Sequence, residues 1–394
     1  MLNTPFSPWP CYSEEEAEAV SRTLLSNKVN YWTGKECLGF EKDFAAWTDS
    51  AYAIALGNGT LALEIALRAL GIGSGDEVIV TPRTFIASVS CIVSVGAVPV
   101  FADVDPGTQN INAETISKVL TSRTKAVICV HLAGMPCDMD PIMALARKHD
   151  LFVVEDCAQA HGARYKGKSV GSIGHVGAWS FCQDKIMTTG GEGGMVTTDD
   201  RALWSKMWAY KDHGKSWDAV YVKKHPPGFG YRWLYESFGS NYRMLEIQAV
   251  IGRIQLKRMS EWKAKRQENA RQIWSVAADV PGLRVPVFPE WADHAAYKCY
   301  VFAVNEALKS DWNRDRIMSE INSRGVPCYS GACSEVYLEK AFESTGWRPA
   351  ERLPVAKELG ETSLMFLVHP TLEKEHIEKT CSVLREVMNE AVLI

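Results

Sequence analysis

The stretch AVICVHLAGMPCDMDPIMALARKHDLFVVED, residues 126–156, contains a five-residue apolar run, a polar turn reaching Asp138, a helical segment, and a second apolar run that ends in two acids. Continuous apolar runs this short fit strands buried on both faces, and two such strands joined through a helix lie parallel. The same unit recurs upstream. AYAIAL (51–56) leads through Gly-Asn-Gly-Thr into a helix striped by Leu61, Ile65, Ala66 and Ala69; EVIV (77–80) precedes a helix after Thr84; VPVF (98–101) precedes one after Asn112. A helix before all of these starts at Ser13, where Ser13 and Glu16 fit a capping box, and runs to about Ser26. The expectation is an α/β chain with a mostly parallel central sheet between helices.

Beyond Lys168 the pattern changes to short β-like runs, 175–181 and 194–198, around a glycine-rich bend. A long helical stretch from about Met244 to Ala278 follows, then a strand (297–304), a helix (312–323) and a last helix from about Glu373 to Ala391. A chain of 394 residues exceeds what one core usually organises. The reading divides it into a large domain, 1–260, and a smaller C-terminal α+β domain, 261–394, that includes the end of the linking helix.

The charge balance is 43 Lys plus Arg against 47 Asp plus Glu, and the signs are interspersed. This argues against a nucleic-acid face, which needs concentrated positive charge, and leaves room for a local phosphate pocket. The start, MLNTPFSPWPCYSEEE, has no secretion-signal pattern, and the most apolar stretch, 54–73, is broken by Asn58, Glu64 and Arg68. A cytoplasmic protein with no membrane partner is expected. The eleven cysteines include no CxxC pair, so they read as reduced thiols. Neither His131/Cys137 nor Cys157/His161 has zinc spacing, and no metal is expected.

Ligands of such sheets sit beyond the carboxyl ends of the strands, and four positions there carry chemistry. The Gly57–Thr60 turn offers free N–H groups and a helix dipole to a phosphate. The same letters match a dinucleotide fingerprint, but the acid that motif requires after the next strand is missing, since Pro82 and Arg83 follow EVIV; a plain chain reversal is the other reading. Asp156 ends its strand, with Gln159 and His161 beyond it, and is either a ligand-facing carboxylate or a cap. In SFCQDKIMTTGGEGG (180–194), Ser180 ends a strand and Lys185 follows; a desolvated lysine there can attack a carbonyl, whereas a solvated one is ordinary surface. Phe85 can cover an aromatic ring or belong to the core. Together, a phosphate turn, an acid for a ring nitrogen, a Schiff-base lysine and a flat aromatic meet the needs of pyridoxal 5′-phosphate (PLP).

The segments GNGTLAL, GDEVIVTPRTFIAS, EDCAQAHGA, SFCQDKIMTTGGEGGM and FGSNYRMLEIQAVIGRIQL, in order from 57 to 256, with YWTGKECLGFEKDFA (31–45) before them, resemble the DegT/DnrJ/EryC1/StrS family of nucleotide-sugar aminotransferases. The resemblance implies the PLP-dependent transferase fold type I. It further implies that Lys185 is the catalytic lysine, that Asp156 pairs with the pyridine nitrogen, that Gln159 contacts the ring hydroxyl and that Phe85 stacks on the ring. Gly59, Thr60 and Ser180 would hold the phosphate, and Asn241 would reach the cofactor of a neighbouring subunit, making a homodimer with shared sites. Lys35 and His161 are the implied substrate contacts. Arg83, Cys182 and Asp184 differ from the residue types common at their positions and read as tuning the sugar site, as does the loop CYSGACSEVY (328–337), which lacks the histidines of many members. The implied substrates are L-glutamate and a nucleotide-linked keto sugar. A dehydratase on the same scaffold, in which histidine replaces the lysine, and a non-catalytic paralogue are the alternatives; Lys185 speaks against both.

Overall fold

The structure, a computed structural model, describes residues 5–224, 226 and 232–393. The amino-terminal part runs α1 (Glu14–Leu25), α2 (Glu36–Trp47), β1 (Tyr52–Leu56), α3 (Gly59–Ala69), β2 (Glu77–Val80), α4 (Ala87–Ser94), β3 (Val98–Phe101), α5 (Ala113–Ser117), β4 (Thr124–Val130), α6 (Met139–His149) and β5 (Phe152–Asp156). The middle adds β6 (Arg164–Tyr165), β7 (Lys168–Ser169), β8 (Val176–Ser180), β9 (Gly194–Thr198), α7 (Arg201–Lys211), α8 (Trp217–Tyr221) and the 33-residue α9 (Glu246–Ala278). After it come β10 (Leu283–Arg284), β11 (Ala292–Asp293), β12 (Cys299–Ala303), α10 (Arg314–Ser323), β13 (Cys328–Tyr329), α11 (Pro354–Thr362), β14 (Ser363–Phe366) and α12 (Lys374–Ala391).

Polar side chains fix where the helices begin. Ser13 and Glu16 form the capping box of α1, and Asn58, Asn112, Asp200 and Asn313 each accept a first-turn N–H. The large sheet has the order β1-β9-β8-β5-β4-β2-β3. All neighbours are parallel except those of β9, which lies antiparallel between β1 and β8. A second sheet, β10-β12-β14-β13, is antiparallel throughout.

Helix α9 serves two cores: Ala249 and Met259 pack with the large sheet, while Ala270, Ile273 and Ala277 pack with the small one. A further cluster joins Ile79, Val127 and Val153 of the large sheet to Tyr300, Phe302 and Met365 of the small sheet, so the second sheet leans on the first. His131, Glu155 and Cys157 lie close together in the interior. The Glu155 carboxylate is already filled by the N–H groups of Gly171, Ile173 and Gly174 and by His131, which makes it a structural bracket. Among the described residues no helix is long and apolar enough to cross a membrane.

Candidate active site

The reversed strand β9 builds the first half of the site. Its first residue, Gly194, pairs with both Leu56 and Ser180 and so sets the end of β1 beside the end of β8. The chain leaving β1 turns at once into α3, capped by Asn58, whose side chain accepts the Leu61 N–H at 3.0 Å. A Cβ on Gly59 would stand 2.6 Å from the Cβ of Ser180, so this approach requires glycine. The unpaired N–H groups of the first turn of α3 and the hydroxyls of Thr60 and Ser180 border one end of a cavity of about 1300 Å³.

Asp156, the last residue of β5, stands across the same cavity and is 5% exposed. Its Oδ2 accepts the Ser88 hydroxyl at 2.7 Å and its Oδ1 the Ala158 N–H at 3.1 Å. Burial raises its carboxyl above the usual range, against these two hydrogen bonds. No cationic side chain is paired with it among the described residues, so it is suited to a ligand that brings a positive N–H. Gln159 accepts the Ala133 N–H at 2.8 Å through Oε1, which leaves the NH2 end of its amide to a ligand.

Lys185 lies in the loop from β8 to β9, whose tight return uses Gly190 and Gly191 at φ of 84° and 119°. The Lys185 carbonyl accepts the Trp9 indole N–H at 2.8 Å. Its Nζ is 3.5 Å from an Asp184 oxygen, and the other Asp184 oxygen accepts the Tyr297 hydroxyl. Phe85 projects from the loop after β2 into the cavity and is 66% exposed. That loop is tied to residues 328–337 by Thr84 N–H to Cys333 and Val336 N–H to Pro82, which brings Gly331, Ala332 and Cys333 to the cavity wall.

The structure thus gathers Gly59, Thr60, Phe85, Asp156, Gln159, Ser180 and Lys185, with Cys182 and Asp184, around one cavity. Other expectations need correction. His161, read as a substrate contact, is sealed behind the wall: fully buried, with ring centroids 5.4 Å from Trp179 and 5.6 Å from Phe181. Among the described residues neither of its nitrogens has a hydrogen-bond partner that meets the geometry, and burial pushes the imidazole down to about 3. Arg83 does not face the sugar space; it is buried, binding Gln109, Ser334 and Ser363. Lys35 is exposed ahead of α2, and Asn241 is exposed with its backbone bridged to Asp212; neither borders the cavity of its own chain. The sequence reading missed Ser88, Tyr297, Lys298 and Lys340. Tyr297 and Lys298 precede β12, on the amino side of a strand, where a search of carboxyl ends does not look.

This donor set fits PLP: a cradle closed by Gly59 against Ser180, a buried carboxylate awaiting a cation, and a lysine amine in the same cavity. The comparisons agree. A solved aminotransferase from Psychrobacter cryohalolentis is 64% identical and superposes with a TM-score of 0.96, covering 98% of this chain and 99% of that one. GDP-perosamine synthase of Escherichia coli O157:H7 is 34% identical over 95% of this chain and 94% of its own length. The UDP-N-acetyl-3-dehydro-alpha-D-glucosamine 3-aminotransferase of Acidithiobacillus ferrooxidans is 34% identical over 93% and 92%. With residues 10–385 matching the model of the DegT/DnrJ/EryC1/StrS aminotransferase family, the chain belongs to that family of PLP-dependent aminotransferases.

Proposed function

We propose that the enzyme moves the amino group of L-glutamate to a keto group of a nucleotide-linked sugar, in amino-sugar synthesis for a surface polysaccharide or a natural product. The observation that carries this reading is one cavity of about 1300 Å³ that holds Lys185, Asp156 and the Gly59/Ser180 cradle and extends to the 331–333 loop and Lys340, leaving space for a substrate larger than an amino acid. A 4-keto-6-deoxy hexose is the first reading of the acceptor. A 3-keto sugar is the second, favoured by the name of the Acidithiobacillus relative.

PLP, when bound, supplies an electron sink. Asp156 would hold the proton on its ring nitrogen, Gln159 would meet the ring hydroxyl, Phe85 would cover the ring, and Gly59, Thr60 and Ser180 would hold the phosphate. Lys185 Nζ would hold the cofactor through its carbonyl group and, once free, would act as the base that takes the proton from the donor Cα and the acid that gives one to the sugar carbon receiving the nitrogen. Asp184, 3.5 Å from that nitrogen, and Tyr297 limit where the free amine can swing. Residues 1–260 are the cofactor lobe and 261–394 the lobe that closes the donor side. Asn241, absent from its own cavity, completes the phosphate site of a partner subunit, so the working unit is a homodimer.

The test is spectroscopic. The purified protein should be yellow, lose that colour on L-glutamate and regain it with the correct keto sugar. A protein that takes up no PLP, or Lys185→Ala retaining turnover, would overturn the reading. Bleaching by glutamate without return on any nucleotide-linked keto sugar would remove the acceptor assignment alone.

A further inference from the structure

Lys298 borders the cavity immediately before β12. Its Nζ lies 4.7 Å from the centroid of the Tyr297 ring, and Lys185 Nζ lies 5.5 Å from the same centroid, so two amines share one phenol as a neighbour. Asp184, the nearby acid, is already engaged by the Tyr297 hydroxyl and by Lys185. Among the described residues no hydrogen bond or ion pair reaches the Lys298 amine.

A second cation with no carboxylate partner among the described residues stands near it. Arg266 on α9 is 2% exposed; its NH1 donates to the Tyr297 carbonyl at 3.4 Å and its guanidinium lies 4.9 Å from the centroid of the Trp9 ring, while among the described residues Nε and NH2 have no hydrogen-bond partner. Burial pushes the Lys298 amine down to about 8, with Asp184 opposing and Arg266 adding to the fall. Burial likewise pushes Arg266 down to about 9. A half-buried amine at a cavity wall with no counter-charge, and a buried guanidinium near it, favour whatever anion the ligand carries.

Position decides which anion. The α-carboxylate of an amino acid is two bonds from the nitrogen it donates, so a donor reacting beside Lys185 places its carboxylate in the same neighbourhood. The diphosphate of a nucleotide sugar hangs from the anomeric carbon, displaced from the reacting carbon by part of the sugar ring. We propose that Lys298 is the residue that binds the α-carboxylate of the amino donor, in the positive field of Arg266. The proposal rests on the aminotransferase reading above and names a residue of its donor site.

The experiment compares holoenzyme of the wild type, Lys298→Met and Lys298→Arg. Single-turnover bleaching by L-glutamate is followed for the donor half, and recovery of colour by the keto sugar for the acceptor half. Calorimetric titration with glutarate, a dicarboxylate without an amino group, gives a binding readout independent of turnover. Losing one charge-assisted hydrogen bond should raise the half-saturating glutamate concentration about 10- to 100-fold in Lys298→Met. Glutarate binding should weaken in parallel, Lys298→Arg should recover most of the loss, and half-saturation by the sugar should move less than about twofold. Should Lys298→Met not fold, Lys298→Gln serves the same comparison. Unchanged glutamate half-saturation in a variant that holds PLP overturns the proposal. A loss confined to the sugar half also overturns it, assigning Lys298 to a phosphate or sugar acid. A wild type that never bleaches with glutamate removes the proposed function itself, a result separable from the other two.

Discussion

Adding one methyl group at Gly59 should dismantle the phosphate cradle. The new Cβ of Gly59→Ala would stand 2.6 Å from the Ser180 Cβ and 3.1 Å from its Cα and Oγ. Carbon atoms in contact prefer about 3.5–4.0 Å, so the first turn of α3 must retreat from the end of β8 by about 1 Å. Neither side yields cheaply. Ser180 is held in β8 and paired to Gly194, and α3 is pinned by buried Ala62, Leu63, Ile65, Ala66 and Leu67. Overpacking of this kind costs about 1–3 kcal/mol of stability. The larger effect falls on the ligand, because the N–H groups of α3 and the Ser180 hydroxyl must point at the same phosphate. Losing one charge-assisted hydrogen bond of about 1.5–3 kcal/mol corresponds to about 10- to 100-fold in Kd. Titrating the apo-protein with PLP and following the absorbance of the bound form gives that constant. Gly57→Ala is the control, since its nearest atom would be the Leu61 Cδ1 at 3.6 Å, an ordinary contact. Equal PLP affinity in Gly59→Ala and wild type, or equal losses in both variants, would show that the close approach of Gly59 to Ser180 does not build the phosphate site.

Asp156→Asn should keep PLP in place while turnover falls about 10²–10⁴-fold, because the amide cannot hold the ring-nitrogen proton in the same way; steady-state kinetics beside a cofactor titration separates the two effects. His161→Phe should flatten the acid limb of stability. With its folded-state value at about 3, below the unfolded 6.5, neutral His161 contributes stability fully present above pH 6.5 and lost as pH falls towards 3. At pH 5 that loss amounts to about 2 kcal/mol by linkage, and urea unfolding of variant and wild type at pH 7 and 5 reads it. Truncating Arg83 to Met removes the donors to the Gln109 side-chain oxygen and to the Ser334 and Ser363 oxygens, whose hydroxyls keep their bonds to the Ala356 and Leu359 carbonyls, and should lower unfolding free energy by about 3 kcal/mol in denaturant titrations. Finally, mixing inactive Lys185→Ala with an inactive Asn241→Ala variant should restore activity, since one site of each mixed dimer then carries both native residues; no rescue on mixing would count against shared sites.

Most strands were legible because parallel strands buried on both faces leave uninterrupted apolar runs such as AVICV and FVVED. The unread elements lack that signal. Helix α2 follows Lys35, which donates no side-chain cap, and β14 is four residues that begin where α11 ends. Strands β6, β7 and β11 have two residues each and exist only through pairing with one another.

The site divides along the same physical line. Gly59, Asp156 and Lys185 could be placed at the cavity from the sequence because the carboxyl end of a parallel strand fixes where the next residues go, a rule local to the sequence. Arg83 and His161 occupy comparable places, yet partners far along the chain decide where they point. Ser334 and Ser363, 251 and 280 residues away, turn Arg83 inward, and Trp179 and Phe181 close over His161. Lys298 shows the converse: nothing in AYKCYVF marks a ligand residue, and it becomes one only because β12 starts beside Asp184 and Lys185 while Arg266 stands behind it. Cofactor chemistry here depends on strand-end positions that a short motif can encode. On the proposed function, donor and sugar recognition would depend on where the second sheet and the 328–337 loop meet the first, so variants that separate substrates should lie in 297–298 and 331–340 and leave PLP affinity unchanged.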